Sequence, residues 1–301
     1  MSLDFKSCSL CPRNCGVDRY KKTGVCGNKS VIRAAKAQLH MWEEPCISGR
    51  NGAGAVFFSG CSLKCCYCQN YKISHENFGE EISVSRLSDI FLELQDMGAD
   101  NIDLISPTHF VPLITASLDA VKHRLNIPVI YNCGGYEKRD TLKMLEGYID
   151  IYMPDLKYKS SELSGKYSSA PDYFKYASDA ILEMHRQQPE LEWNGSLLKK
   201  GLIIRHLVLP KCRHDSMDIL SWLKENIPAD SFKLSLMSQF TPAYHCRVYP
   251  ELNRKITTLE YNSVVDMALE IGFDGYTQSR KSADSSYTPE FDLTGITPPS
   301  E

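Results

Sequence analysis

The 301-residue sequence predicts an α/β protein, a partial barrel of six βα units preceded by a small four-cysteine metal-binding segment. Three observations predict it. Short apolar runs alternate with helical patterns about six times, the signature of a parallel sheet built from strand–helix units. Cys61, Cys65 and Cys68, spaced C-x3-C-x2-C, follow the first of those runs directly. Cys8, Cys11, Cys15 and Cys26, spaced C-x2-C-x3-C-x10-C, come before it.

In chain order, residues 1–35 form the cysteine-rich segment, broken by Pro12, Gly16, Gly24 and Gly27. So short and polar a stretch cannot build a core of its own, and a bound metal would hold its fold. Four thiolates suit a closed zinc site or an auxiliary iron–sulfur cluster, and the ligand count favours zinc slightly. Residues 36–277 hold the barrel. Its candidate strands are 55–59, 102–106, 128–132, 149–153, 202–209 and 232–237, each followed by a loop and a helix. Val84, Leu87, Ile90, Phe91, Leu94 and Met97 recur at three- and four-residue spacing, with serines before them and Gly98 after, which predicts a sheet-covering helix. Val111, Ile114, Leu118 and Val121 repeat the pattern, as do Val264, Val265, Ala268, Leu269 and Ile271. The tail, 278–301, is rich in Ser, Thr and Pro, and Phe291, Leu293 and Ile296 are its candidates for pinning it across the barrel mouth as a lid or plug.

Composition narrows the class. The chain is 43% hydrophobic with a formal net charge of −3, enough for one large domain and a small appendage. It has neither a membrane-length apolar run nor a signal-peptide core at its start, so the cytoplasm is the expected compartment. Its twelve cysteines, grouped without a secretory signal, indicate metal sites rather than disulfides, and hence oxygen sensitivity. Cys46, Cys133, Cys212 and Cys246 lack ligand spacing and are expected to be buried small hydrophobes, Cys46 being the first candidate for more. Arg13, Arg19, Lys21, Lys22, Lys29, Arg33 and Lys36 make the N-terminal segment basic. The slightly acidic whole chain and the lack of interleaved aromatics favour a solvated surface over nucleic-acid binding, and leave docking of an acidic protein open.

The loop carrying Cys61, Cys65 and Cys68, residues 57–70 (FFSGCSLKCCYCQN), holds the chemistry. Three thiolates on a four-iron cube leave one iron open to a substrate or cofactor, and an open iron implies reaction rather than storage. The alternative is a zinc knuckle with Cys66 as fourth ligand. It suffers from the adjacency of Cys65 and Cys66, since neighbouring side chains rarely converge on one tetrahedral ion.

This loop resembles that of the radical S-adenosylmethionine (SAM) superfamily. With residues 40–49 (HMWEEPCISG) and 105–109 (ISPTH) it looks most like the branch related to the pyruvate formate-lyase activating enzyme, over most of the chain. The resemblance implies an open (βα)6 version of the TIM barrel. It further implies a 4Fe–4S cluster on Cys61, Cys65 and Cys68, SAM as cofactor, and a flavodoxin- or ferredoxin-type reductant. Sites on such folds gather at the C-terminal ends of the strands, which sorts the polar residues. Ser106 and Thr108 stand where the superfamily often has a glycine-rich segment for SAM's amino group, a departure that weakens the carry-over. His109 beside them could be an ordinary surface residue opening the next helix. Asn132 falls near the implied ribose, with Gly134 and Gly135 permitting close approach. Tyr67 falls at the aromatic position where the backbone meets adenine, or simply packs beneath the cluster.

Asp155 and Lys157 match the activases' DLK segment. Alternation puts both on one side of a strand, where they could hold a zwitterion as catalytic and cofactor-binding residues or merely form a buried ion pair. Arg205, in the apolar run LIIRHLVLP, needs an anion, either SAM's carboxylate or one from the protein. His206 on the opposite face is expected to be structural, and Ser238, Gln239, Phe240 and Thr241 to border adenine or substrate. The implied activity is cleavage of SAM to a 5'-deoxyadenosyl radical and hydrogen abstraction from a protein or peptide, with activation of a glycyl-radical enzyme as one form. The alternatives are modification of a ribosomally made peptide or RNA, and an iron–sulfur protein that binds SAM or transfers electrons without turnover.

Overall fold

The computed structural model describes residues 5–278 and 289–297. Its strands are β1 (Ile32–His40), β2 (Ala53–Phe58), β3 (Glu80–Ile82), β4 (Ile102–Ile105), β5 (Val129–Cys133), β6 (Ile151–Pro154), β7 (Glu192–Asn194), β8 (Leu197–Leu207), β9 (Lys233–Met237) and β10 (Gly275–Thr277). Its helices are α1 (Pro45–Ser48), α2 (Tyr71–Ser74), α3 (Val84–Asp96), α4 (Val111–Val121), α5 (Arg139–Lys143), α6 (Ser161–Ser168), α7 (Tyr173–Gln187), α8 (Arg213–Asn226) and α9 (Thr258–Ile271). The strands form one sheet in the order β10-β9-β8-β6-β5-β4-β2-β1-β3, with β7 paired to β8 as a hairpin. From β2 to β10 every neighbour in that path is parallel, while β1 and β3 join antiparallel. The barrel is therefore open, and β2, β4, β5, β6, β8 and β9 are the six strands that the apolar runs predict.

Alternation along these strands sorts the side chains into two sets. Val56 and Phe58 of β2, Leu104 of β4 and Ile204 of β8 join the main core under the helices. Ala53, Ile130, Ile151, Met153 and Ile203 form a second cluster inside the barrel. Cys46 and Ile47 of α1 belong to that inner cluster, so α1 closes the barrel floor. The covering helices form where the periodicity places them. Ser83 caps α3 through Arg86 N, and Leu87, Ile90, Phe91 and Leu94 are buried. Met97, the cap after its last turn, is exposed because α3 runs past the end of its buried face, and Leu269 is exposed because it lies on the outer side of α9, between buried Ala268 and core-packed Ile271.

The N-terminal segment packs on the barrel rather than standing apart. Arg19 is fully buried, its guanidinium donating to the carbonyls of Asn28, Lys29 and His109. Lys36 is also buried and pairs with Asp292. Those two are thus not the solvated cations expected from composition; they are used up satisfying carbonyls and a tail carboxylate. Of the tail, residues 279–288 and 298–301 lie outside the described residues. The described part runs along β1, with Ala37 N donating to Thr294 O (2.8 Å) and Leu293 N to Ala35 O (3.0 Å). Phe291 and Ile296 are buried, and Phe291 packs edge-on against Phe57. Among the described residues no helix is long and apolar enough to cross a membrane.

Candidate active site

A cavity of about 260 Å³ opens at the C-terminal ends of the parallel strands. Cys61, Cys65 and Cys68 line it, with Tyr67, Ser106, Asn132, Asp155, Lys157 and Arg205. Six strands and the cluster loop converge there because each strand end contributes its inward-facing residue to the same space.

Each of the three sulfurs has a hydrogen-bond partner. Leu63 N donates to Cys61 Sγ (3.4 Å), and Ser168 Oγ donates to Cys65 Sγ (3.0 Å). Cys68 Sγ lies 3.1 Å from Ser74 Oγ, which in turn lies 2.8 Å from His75 Nδ1. Burial pushes the Cys61 thiol up to about 12 and the Cys68 thiol up to about 11, each raised further by the Cys65 sulfur beside it. Three sulfurs that face one cavity, each with a hydrogen-bond partner, fit a cluster whose irons would displace their protons. Cys66 points away from this set, and its thiol interacts with that of Cys246, which it draws down to about 7. Cys246 is buried as expected, but it is not an inert hydrophobe.

The polar wall opposite is one continuous chain. Lys157 Nζ donates to Asp155 Oδ2 (2.5 Å), and Arg205 Nε donates to Asp155 Oδ1 (2.9 Å). Arg205 also donates to Asn132 Oδ1 (2.6 Å) and Glu43 Oε2 (3.2 Å), and Asn132 Nδ2 donates to Asp103 Oδ2 (3.2 Å). Burial pushes the Asp155 carboxyl up, but Arg205 and Lys157 outweigh it and hold it below the usual range. Burial and the neighbouring Asp103 raise Glu43 well above its usual value, and burial raises Asp103 to about 7. The anion that Arg205 requires is therefore supplied by Asp155 of the protein itself, and Glu43 accepts a further hydrogen bond from it.

Glu43 and Asp103 escape the sequence analysis. Glu43 lies in the 40–49 stretch, where two adjacent acids before a proline were a signal; Asp103, alone among apolar neighbours in its strand, was another. Of the residues expected after β9, Gln239, Phe240 and Thr241 line the cavity, whereas Ser238 is buried against Gln278. Ser106 lines it with a left-handed backbone, φ 58°. Thr108 does not: its hydroxyl donates to Glu137 Oε1 (2.6 Å), away from the cavity. His109 is no surface residue either, being 2% exposed with Nε2 2.8 Å from Ser59 O. His206 is buried outside the site, held by Leu156 O and Ser216. Tyr67 does pack, on Phe240, and its hydroxyl reaches Tyr158 (2.5 Å).

Glu137, which holds Thr108, is itself buried, and burial lifts its carboxyl to about 7 although Thr108 and Tyr131 both donate to it. A carboxyl raised in the folded state stabilises below its unfolded value and loses that contribution as pH rises through the folded one. Stability should thus fall between about pH 4.5 and 7 by up to roughly 3 kcal/mol from this group. Glu137→Gln is expected to flatten that part of the profile in urea titrations; an unchanged slope would mean that the carboxyl ionises normally.

The four N-terminal cysteines are also gathered. Cys8, Cys11 and Cys26 are buried and Cys15 is half-buried. A Cβ on Gly24 would lie 3.4 Å from Cys15 Sγ and 3.5 Å from Cys26 Sγ. Burial raises Cys11 to about 12, with Cys26 and Cys8 close enough to add to it. Among the described residues, no three His, Cys, Asp or Glu side chains are grouped as a single bound ion would hold them.

Residues 48–166 match the family model described as a 4Fe-4S single cluster domain, a span that contains the C-x3-C-x2-C loop. The uncharacterized protein MJ0674 of Methanocaldococcus jannaschii is 28% identical over 283 residues, covering 90% of this chain and 76% of that protein. A radical SAM methyltransferase from Sphaerobacter thermophilus superposes with a TM-score of 0.52 at 10% identity, over 74% of this chain and 65% of that one. HydG, a maturase of the FeFe-hydrogenase, gives 0.50 at 13% identity, over 71% and 48%. The chain thus spans between about half and two thirds of these solved proteins, and what it shares with them is the fold.

Proposed function

We propose that this chain, which has the radical SAM fold and a 4Fe–4S single-cluster domain, is a radical SAM enzyme that abstracts hydrogen from a protein or peptide substrate. The observation that carries the proposal is the meeting of Cys61, Cys65 and Cys68 with the Lys157–Asp155–Arg205 chain in one cavity. When bound, a cluster at the three thiolates supplies the electron that cleaves SAM to the 5'-deoxyadenosyl radical. Lys157 and Asp155 form a charged pair suited to the amino and carboxylate groups of the methionine part, with Ser106 and Asn132 beside them. Arg205 acts on SAM by fixing Asp155 and Asn132 rather than by meeting the carboxylate itself. Tyr67 and Phe240 give the cavity an aromatic wall against which an adenine would pack. Activation of a glycyl-radical enzyme is one form of this chemistry, with a flavodoxin- or ferredoxin-type protein as electron donor. The four N-terminal thiols would hold zinc or a second cluster.

Product analysis tests the proposal. The anaerobically reconstituted protein, given SAM and a strong reductant, is expected to release 5'-deoxyadenosine, and Cys65→Ala to release none. A fully loaded wild-type protein that binds SAM without forming 5'-deoxyadenosine would instead make it a binding or electron-transfer protein.

A further inference from the structure

Arg13 sits between Cys11 and Cys15 of the N-terminal segment, yet its guanidinium is spent entirely on other parts of the fold. Nε donates to Ser62 O of the cluster loop (2.7 Å), and the two terminal nitrogens donate to Ser169 O (2.6 Å) and Ser168 O (3.4 Å). The last two carbonyls lie at the end of α6, where Ser169 caps the helix with a left-handed backbone. A helix C-terminus leaves carbonyls without partners inside the helix and carries partial negative charge, so a planar cation with several donors is the natural staple. The cluster loop docks on the same turn, with Cys66 N donating to Tyr167 O (2.8 Å) and Lys64 N to Ser168 O (3.3 Å).

Ser168 is the residue at which these contacts meet a cluster sulfur. Its hydroxyl donates to Cys65 Sγ, which leaves its oxygen to accept from Tyr158 (2.9 Å). Tyr158 then accepts from Tyr67 (2.5 Å). Ser168 and Tyr158 are fully buried and Tyr67 nearly so, so water does not compete for these bonds. Three donors pointing one way polarise each other and strengthen the last bond, the one on sulfur. Hydrogen bonds to the sulfurs are among the determinants of a cluster's reduction potential, because they stabilise the more negatively charged reduced form.

We propose that Arg13 and Ser168 are positioning residues through which the N-terminal four-cysteine segment sets the hydrogen bond on Cys65, and with it the reduction potential of the cluster. This rests on the functional reading above. Arg13 fixes the main chain of Ser168 relative to the cluster loop; Ser168 fixes the charge that Cys65 can carry. The local fold of the segment, with Asn14 N on Cys11 O and Gly16 N on Cys8 O, holds Arg13 in place, so a change in that segment reaches the cluster without touching it.

The test is the midpoint potential of the reconstituted cluster, read by electron paramagnetic resonance during a redox titration. Ser168→Ala should make reduction about tenfold less favourable, a shift of about 59 mV to more negative potential for one electron. Tyr158→Phe, which removes one hydroxyl at constant volume, should shift it the same way by less, and Arg13→Ala should do so although it lies outside the cluster loop. If Arg13→Ala does not fold, Tyr158→Phe still tests the relay, and Arg13→Lys, unable to bridge three carbonyls, tests the staple. Equal potentials in wild type and Ser168→Ala overturn the inference, as does a shift in Ser168→Ala with none in the Arg13 variant. A wild-type protein that takes up no four-iron cluster overturns the functional reading and this inference with it.

Discussion

Arg205→Ala is expected to destabilise the protein by about 3–5 kcal/mol, the cost of breaking a buried ion pair from one side. The guanidinium serves three acceptors at once, Asp155 just after β6, Asn132 on β5 and Glu43 ahead of α1. Removing it leaves Asp155 with Lys157 as its remaining cation in this chain of contacts, and Glu43 and Asn132 without their donor. Asp155 would lose one of the two cations that hold its carboxyl down, and with it the fixed orientation in which it presents Lys157 to the cavity. SAM binding should fall with stability. Arg205→Lys should recover only part of both, since one ammonium cannot reach three oxygens in fixed directions. Urea denaturation together with SAM titration checks this. A loss below about 1 kcal/mol would mean that the network relaxes to water and that the barrel interior is wetter than the contacts indicate.

Gly135→Ala is expected to be nearly as severe for a different reason. Gly135 has φ +78°, and a Cβ there would lie 2.1 Å from Asp155 O and 2.8 Å from Tyr173 Oη. Left-handed backbone costs a substituted residue about 1–2 kcal/mol, and overpacking adds about 1–3 kcal/mol. The neighbours cannot give way cheaply. Tyr173 Oη donates to Gly134 O and Asp155 O and accepts from Lys157 N, so displacing it moves the main chain of both residues opposite the cluster. Gly147→Ala is the internal control, because it has φ +83° and nothing within 4 Å of the added carbon. It should cost only the backbone part and leave SAM affinity unchanged. If the two variants prove equal in stability and binding, the crowding at Gly135 is relieved by a shift that does not matter to the site.

Much of this was readable from residue order. Strand–helix alternation is local chemistry, and six of the seven parallel strands lie where short apolar runs fall. β1 escaped because Ala34, Ala35 and Ala37 have little intrinsic preference for a strand; their small side chains are accommodated between β2 and the tail. β7, β10 and the floor-closing α1 are too short to announce themselves. Cys61, Cys65 and Cys68 were legible because three cysteines within eight residues share one loop. Asp155 and Lys157 were legible because alternation puts them on one side of an extended segment.

The partners of these residues were not legible. Whether Arg205 met a ligand or a protein carboxylate depended on Glu43, 162 positions away, and on the barrel closing with that residue on its inner side. Thr108 and His109 follow the second parallel strand just as Ser106 does, yet only Ser106 faces the cavity. The turn after β4 carries Thr108 to Glu137 and His109 to Ser59, a choice made by long-range packing. Arg13 looked like one of several surface cations, and nothing in its neighbourhood in sequence reveals Ser62, Ser168 or Ser169. Residue order decides which segments become strands and helices and which cysteines share a loop, because those depend on contacts within a few residues. Which charges neutralise each other and which hydroxyl reaches Cys65 follows from the assembled fold, because a buried polar group takes its partner from whatever the fold brings within hydrogen-bond reach.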